Sequence, residues 1–296
     1  MKKLLFVMAV ALVLTACEKE INAEGNPSAT TEVTMPDGEK VQAKRFVFTL
    51  KGDFAKDMKT RGYLAADGKD MTDVWVLDYM NGTLMQQLHQ SNTDADFGAP
   101  TMNLAYGAHH VYVIASRGGT PTLDTEAKTI VWARPSDTFW KNYEVNVVAT
   151  SNGNRAVTLD RVVTKLKLCF TDAVPAGAST FNITPTTWYY GMNYQTGEPC
   201  DAHTSETLVL NIPSSYIGRT DTNTNSFGFS SATAWTADVT FNCKDASGNI
   251  LGEASLSDLE FRRNKQTVCT GTLFTAGGSV GMNLNAEWGD NIEVSW

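Results

Sequence analysis

The chain has 296 residues, of which 42% are hydrophobic, so it can bury a sizeable core in one large or two ordinary domains. Its formal net charge of −8 at pH 7 becomes −10 once an N-terminal leader containing Lys2 and Lys3 is removed. Nucleic acid is therefore excluded as an expected partner, because phosphate backbones bind surfaces rich in Lys and Arg.

The first residues predict an exported lipoprotein. Two lysines precede an apolar run from Leu4 to Leu14, and a run of about eleven residues is too short to cross a bilayer as a helix, which needs ~20. Small residues then stand directly before Cys17, as in a bacterial lipobox. We expect residues 1–16 to be a signal peptide and Cys17 to become an acylated N-terminus that holds a soluble domain at a membrane surface. A plain secretory signal is the alternative interpretation.

A strand with large apolar side chains follows a polar tether. Residues 17–45 are polar and turn-rich, with a short strand expected at Thr31–Met35. The next residues are all aromatic, β-branched or aliphatic, which predicts a strand with both faces buried in a sheet. These strand residues are Phe46, Val47, Phe48, Thr49 and Leu50.

The segment after this strand predicts an exposed loop with a protease site. Gly52 ends the strand, and residues 53–60 are rich in Lys and Asp with little that could pack. Arg61 is therefore expected in a loop where a trypsin-like protease can cut before Gly62. Cleavage there makes the preceding strand removable, and removal leaves an unpaired sheet edge that another chain can occupy.

The remaining pattern is typical of an all-β sandwich, because short apolar runs alternate with turn signals roughly every 8–12 residues and helical periodicity is scarce. The strongest local signal is a hairpin, in which Asn81-Gly82 separates a strand at Asp73–Met80 from one at Thr83–Leu88. Further strands of this half are predicted at Thr101–Leu104, His110–Ala115, Thr129–Ala133 and Tyr143–Val148.

A polar turn at Ser151–Asn154 predicts a domain boundary, which gives an N-terminal domain at residues 46–153 and a C-terminal domain at residues 154–296. The second domain is expected to open with a strand at Val157–Phe170, where apolar and polar residues alternate near its end. Later strands are predicted at Phe181–Thr184, Thr207–Ile212, Thr236–Cys243, Val268–Phe274 and Met282–Trp288. The final segment aligns three large side chains on one side of a strand, namely Ile292, Val294 and Trp296.

The cysteines leave the disulfide state open. Besides Cys17 there are four cysteines, an even number that permits disulfides in an exported protein with three possible connectivities. Buried thiols are the simpler alternative, and no pair has the Cys-x-x-Cys spacing of a zinc site. The four are Cys169, Cys200, Cys243 and Cys269.

Two motifs for catalysis or metal binding each lack residues that the chemistry requires. Gly277–Gly281 matches the nucleophile-elbow pattern, but a hydrolase of that type needs a later histidine, and all four histidines come earlier. Asp221–Asn225 resembles the start of a calcium loop, but Ser226 and Ala232 stand where that loop needs Gly and Glu. We therefore expect no catalytic residues, no cofactor and no metal.

A pair of histidines and a group of aromatic residues each have a structural as well as a functional interpretation. Neighbouring strand residues point to opposite faces, so His109 and His110 are unsuited to chelating one metal. Trp188, Tyr189 and Tyr190 form an aromatic concentration with Tyr194. If exposed on one patch these rings could stack on sugars, whereas if buried they are core packing.

Taken together, the chain resembles the FimA-type and Mfa-type fimbrillins of Bacteroidales. Four stretches, in this order, carry the resemblance across nearly the whole chain. They are the lipobox at Cys17, the strand Phe46–Lys51 followed by Arg61 and the hairpin Val74–Leu88, the strand Leu159–Leu166, and the end from Asn283 to Trp296.

The resemblance implies two transthyretin-like β-sandwich domains in tandem, in a fimbrial subunit exported as an outer-membrane lipoprotein precursor. A surface protease would cut between Arg61 and Gly62 and release the strand Phe46–Lys51. The segment Asn283–Trp296 of another subunit would then fill the vacated groove. Implied partners are other fimbrial subunits, the protease, the outer membrane through the lipid, and a host or bacterial surface ligand. The residues implied to face the groove are Ile292, Val294 and Trp296.

Two alternatives remain open at this point. Within the same fold, the chain could be an uncleaved anchor subunit that keeps its lipid. In a different class, it could be a surface glycan-binding lipoprotein that uses the aromatic concentration at Trp188.

Overall fold

The computed structural model describes residues 30–52 and 71–275, together with the backbone alone of residues 280–287. This part of the chain is built from β-strands, as the sequence predicts. The N-terminal half contains β1 (Thr30–Thr34), β2 (Lys40–Gly52), β3 (Asp73–Met80), β4 (Thr83–Ser91), β5 (Thr101–Ala105), β6 (Gly107–Ser116), β7 (Thr122–Asp124), β8 (Thr129–Val131), β9 (Thr138–Val147) and β10 (Asn154–Arg161).

The C-terminal half adds ten more strands and a short 3-10 turn at Ser214–Tyr216. In the described ranges, no helix has the length and apolarity needed to cross a membrane. The strands are β11 (Val163–Phe170), β12 (Ala178–Pro185), β13 (Trp188–Asn193), β14 (Pro199–His203), β15 (Leu208–Asn211), β16 (Thr222–Phe229), β17 (Trp235–Asp245), β18 (Ile250–Phe261), β19 (Lys265–Gly271) and β20 (Val280–Glu287).

The N-terminal half is one sheet folded over a core. Its strand order is β1-β2-β10-β9-β6-β3-β4, with β5 also paired to β2. β10 pairs with β2 along residues 154–159 but with β9 only at residues 160–161. The sheet bends at this point, so that apolar side chains of β2, β5 and β10 pack against those of β3, β6 and β9 in a single core.

The C-terminal half is a two-layer sandwich. One sheet has the order β16-β11-β19-β20 and the other β15-β12-β17-β18. Leu166, Leu168 and Phe170 of β11 pack against Phe181 of β12 and Phe241 of β17, all nearly inaccessible to solvent. The predicted alternation at the end of Val157–Phe170 is therefore confirmed, as is the all-β sandwich fold class.

A third sheet joins the two halves. Its order is β14-β13-β8-β7, so β7 and β8 leave the N-terminal half to pair with strands of the C-terminal half. A third core cluster contains side chains from both halves, and Tyr79 and Tyr194 form a buried hydroxyl–hydroxyl hydrogen bond of 2.7 Å across it. The halves are thus packed together through an apolar interface.

The hairpin at Asn81-Gly82 is confirmed, with φ of 51° and 78° at these residues, as a two-residue turn between twisted strands requires. The predicted single strand Val157–Phe170 is wrong, because the chain changes sheets at Val162, whose side chain is fully buried in the third core cluster.

The turn at Ser151–Asn154, which the sequence assigned to a domain boundary, connects β9 to β10 within one sheet. Residues 154–159, which follow this turn, pair with β2, so β10 contributes to the sheet of the N-terminal half. The passage between the two halves occurs at Val162 in the described chain.

Candidate functional site

The candidate site is the groove that holds β2. Along this strand the side chains of Phe46, Phe48 and Leu50 are at most 1% exposed, while Val47 and Thr49 between them are half-buried. The prediction that both faces would be fully buried is therefore wrong in part. The side chains on one face of β2 pack in the core, and those on the other face are partly exposed to solvent.

β2 is hydrogen-bonded along both edges. On one edge it runs parallel to β10, and the Val47 N–H donates to Gly153 O at 2.8 Å. On the other edge it runs antiparallel to β5, and past the end of β5 the Phe48 N–H donates to Pro100 O at 3.0 Å. The Leu50 N–H continues this edge by donating to Gly98 O at 3.1 Å. β2 is thus an interior strand, and its removal would leave two unpaired edges facing each other.

Aromatic contacts fix the buried face of β2. The rings of Phe46 and Phe48 stack with centroids 6.0 Å apart, and Phe48 meets Tyr143 of β9 edge-on at 5.9 Å. The Arg155 guanidinium of β10 lies 5.3 Å from the Phe46 ring centroid. Burial of a Phe or Leu side chain contributes about 1.5–3 kcal/mol, so the three core side chains of β2 contribute roughly 5–9 kcal/mol of apolar burial.

Two basic residues lie inside β2 rather than in a loop. Lys44 is 5% exposed, and its Nζ donates to Ser151 O at 3.3 Å. Arg45 is paired with Asn103 of β5. A protease must draw the substrate backbone into an extended, unpaired form, so these two positions are protected while β2 stays in the sheet.

Several predicted site residues fall outside the described residues. They are the lipid-attachment residue Cys17, the processing pair Arg61 and Gly62, and the donor residues Ile292, Val294 and Trp296. Arg61 follows the last residue of β2, Gly52, by nine positions in the sequence.

The first part of the predicted donor segment already has a place in its own domain. β20 pairs antiparallel with β19, with Leu284 opposite Thr267 and Asn283 opposite Val268. The predicted strand at Met282–Trp288 is confirmed, but residues 283–287 are a strand of the second domain's sheet. If a segment is donated to another subunit, it must come from the residues after Glu287.

The aromatic concentration at Trp188 is core packing. Trp188, Tyr190 and Tyr194 are at most 3% exposed, and the Trp188 indole N–H donates to Phe227 O at 2.8 Å. The flat exposed patch that a sugar-stacking site would need is therefore not present at these residues. Burial raises the pKa of the Tyr190 hydroxyl to about 12, as expected for a phenol in the core.

The two adjacent histidines lie on opposite faces of β6, as predicted. His109 is 2% exposed, and its Nδ1 lies 2.7 Å from Asp78 Oδ1, while its Nε2 lies 2.9 Å from Ala105 O. His110 points outward. The contact between His109 and Asp78 was not predicted from the sequence, although a lone Asp between Leu77 and Tyr79 in an apolar strand indicates a buried carboxylate that needs a partner.

The four cysteines of the described chain are thiols. Burial raises the pKa of the Cys243 thiol to about 11 and, together with the charge of Cys169, that of Cys269 to about 12. Such thiols are poor nucleophiles and poor metal ligands at neutral pH. Within residues 30–52 and 71–275, no group of three or more His, Cys, Asp or Glu side chains is arranged to hold a metal ion.

Comparison with solved structures shows a shared fold with adhesion proteins of Bacteroides. A candidate adhesin from Bacteroides ovatus is 13% identical, and the alignment covers 82% of this chain and 94% of that chain with a TM-score of 0.50. A candidate cell adhesion protein from Bacteroides ovatus ATCC 8483 is 11% identical over 84% of this chain and 98% of that chain, with a TM-score of 0.51. The resemblance inferred from the sequence is thereby confirmed at the level of the fold.

No curated protein matches the chain. A family model does match, over residues 122–295, which is more than half of the chain and begins at the first residue of β7. The matched region thus contains the sheet that joins the two halves and the whole C-terminal sandwich. The chain belongs to the family of unknown function DUF6562.

Proposed function

We propose that this chain is a structural subunit of a surface fimbrium, made as a lipoprotein precursor and assembled by strand exchange. Cys17 carries the lipid, cleavage between Arg61 and Gly62 releases β2, and a C-terminal segment of another subunit takes its place. The observation that carries the proposal is the position of β2, an interior strand with three core side chains that stands next to the predicted cleavage segment.

The connectivity supports removal of β2 as a unit. β2 is joined by a short turn only to β1, which precedes it, while its two interior neighbours, β5 and β10, come much later in the chain. One cut after β2 therefore frees residues 17–61 without dividing any other strand pair. The cut chain would keep the rest of its sheets and expose a slot between β5 and β10.

The strand pairing of β2 also favours cleavage after Arg61 over cleavage beside Lys44 or Arg45. Lys44 and Arg45 precede the core side chains of β2, and a cut beside either would leave that strand in place. Both residues lie in hydrogen-bonded sheet. Arg61 follows the strand, so cleavage there is the one that opens the groove.

The geometry of the slot specifies the incoming strand. A strand that repeats the hydrogen bonds of β2 runs parallel to β10 and antiparallel to β5. It must place three apolar side chains at alternate positions, as β2 does with Phe46, Phe48 and Leu50. Ile292, Val294 and Trp296 have the same spacing, and restored burial and backbone pairing would make insertion favourable.

Limited trypsin digestion of the soluble precursor, followed by N-terminal sequencing, tests the removable strand. We expect the first stable product to begin at Gly62, and Arg61→Ala to abolish it. Arg45→Ala is the matched control and should leave the product unchanged. A first cut after Lys44 or Arg45 would contradict the proposal. Complete resistance at Arg61 in the folded precursor would instead favour an uncleaved anchor subunit.

A further inference from the structure

A polar cleft lies where the two halves of the molecule meet. Two cavities of about 410 and 390 Å³ adjoin each other, with Arg134 and Asn225 in the walls of both, and together they make up the cleft. Small-molecule sites typically have volumes of about 300–1,000 Å³. Residues of β1, β2, β5 and β10 take no part in the lining, so the cleft is separate from the proposed strand exchange and would persist after cleavage.

The charge in the cleft is positive although the protein is acidic. Arg117 and Arg134 line it, and within the described chain neither guanidinium has a carboxylate within 4 Å. The nearby Asp137 is engaged by Arg161, with N–O distances of 2.7 and 3.1 Å.

Two buried polar atoms of the lining have no hydrogen-bond partner in the described residues. One is the donor Nε of Arg117 and the other is the acceptor Oδ1 of Asn225. The amide nitrogen of Asn225 donates to Asn223 Oδ1 at 3.3 Å, which sets the direction of its carbonyl oxygen. Buried polar groups are rarely left unpaired. Both atoms are buried, so a ligand reaches them only if the Arg117 and Asn225 side chains turn toward the cleft that they line. An anionic oxygen beside a hydroxyl group would then satisfy both.

The backbone holds Arg117 in position. Its N–H donates to Asp137 O at 3.0 Å, and the next two residues, Gly118 and Gly119, have φ of 76° and 78°. A side chain at Gly119 would be strained, and its Cβ would also lie 3.3 Å from the Trp132 ring. The turn therefore needs glycine, and it presents Arg117 to the cleft from a rigid strand end.

We propose that this cleft binds an acidic saccharide, in which a carboxylate or sulfate pairs with Arg117 and Arg134 and neighbouring hydroxyls pair with Asn225. Side-chain amides and hydroxyls both donate and accept, which matches sugar hydroxyls. Phe227 lines one of the two cavities and Tyr216 the other, and these half-buried aromatic residues offer apolar surface for the C–H faces of a sugar. Pro135 and Pro213 in the walls lack the N–H groups that a bound peptide strand would require.

Isothermal titration calorimetry with trigalacturonate and a sulfated disaccharide tests the proposal and separates carboxylate from sulfate recognition. A neutral galactose trisaccharide is the ligand control. We expect an acidic sugar to bind at least tenfold more tightly than the neutral one, with affinity that falls as salt rises. Arg134→Ala and Asn225→Asp should each weaken binding tenfold or more, since one removes a cation and the other adds an anion.

Arg262→Ala is the matched protein control, because Arg262 pairs with Glu260 at 2.9 Å and does not line the cleft. Arg134 is exposed, so its variant should keep the wild-type melting temperature even if an Arg117 variant does not. Equal affinity for neutral and acidic sugars, unchanged affinity in Arg134→Ala and Asn225→Asp, or no binding at millimolar sugar would overturn the proposal. Equal or tighter binding of a Glu-rich hexapeptide would overturn the saccharide assignment.

Discussion

Leu50 of β2 lies opposite Val157 of β10 in a parallel pair of strands, and each side chain is 1% exposed. Parallel partners cannot be joined by a tight turn, so the two residues are neighbours in space but distant in the chain. In the uncut chain, the core of the N-terminal half is therefore completed by β2, which lies in the N-terminal segment of the chain. This relationship is the physical basis of the proposed exchange.

Phe48→Ala should destabilise the uncut precursor by about 3–5 kcal/mol, because it removes a fully buried ring from the core. Urea unfolding followed by tryptophan fluorescence measures the loss. Lys51→Ala changes an exposed residue of the same strand and should stay within about 0.5 kcal/mol of the wild type. A Phe48→Ala loss below about 1 kcal/mol would show that β2 contributes little to the core.

His109→Ala should also destabilise the protein. The ring nitrogens of His109 lie 2.7 Å from Asp78 Oδ1 and 2.9 Å from Ala105 O, so the ring bridges two buried oxygens. Removal of the ring leaves the buried Asp78 without that hydrogen-bond partner, at a cost of about 1–3 kcal/mol. His110→Ala is the matched control, since His110 lies next to it on the exposed face. Equal melting temperatures for the two variants would contradict a stabilising role for the buried contact between His109 and Asp78.

Alkaline pH should destabilise the protein through its buried thiols. In the folded state the pKa is raised from 9.0 to about 11 for Cys243 and to about 12 for Cys269, mainly by burial. Below pH 9 both states keep these protons, so stability is unaffected. Between pH 9 and pH 12 the unfolded chain loses protons that the folded chain retains, and stability falls.

Melting temperatures between pH 8 and pH 11 test this prediction. The double variant Cys243→Ala, Cys269→Ala is expected to start from a lower melting temperature, because it loses buried volume, but to show a smaller decline above pH 9. An identical decline in the variant and the wild type would mean that other groups cause the alkaline loss.

The sequence predicted local features well and long-range pairing poorly. The turn at Asn81-Gly82 and the apolar strand at Phe46–Leu50 follow from properties of adjacent residues. The parallel pairing of β2 with β10 has no local signal, because the sequence of a strand does not identify the strand with which it pairs. The pairing of β8 with β13 was missed for the same reason, and the Trp188 concentration could be assigned to the core only once its neighbours were known.

Cys17→Ala should release the protein from the membrane. The apolar leader is too short to serve as a membrane anchor once it has been processed, so the lipid is expected to be the only attachment. Cell fractionation with radiolabelled palmitate measures both location and acylation. A variant that stays in the membrane fraction with normal labelling would contradict the lipoprotein assignment.

The central claim is that a C-terminal segment of one subunit replaces β2 of another. Deletion of residues 291–296 tests it most directly, because the deletion leaves β20 and its pairing with β19 intact. The uncut truncated precursor should keep a melting temperature close to that of the full-length precursor, since its own β2 still fills the groove.

After trypsin cleavage at Arg61, full-length protein should form ladders on a denaturing gel run without boiling, and truncated protein should not. Ladders of undiminished length from the cut truncated protein would show that residues 291–296 are not the donor, and would contradict the account.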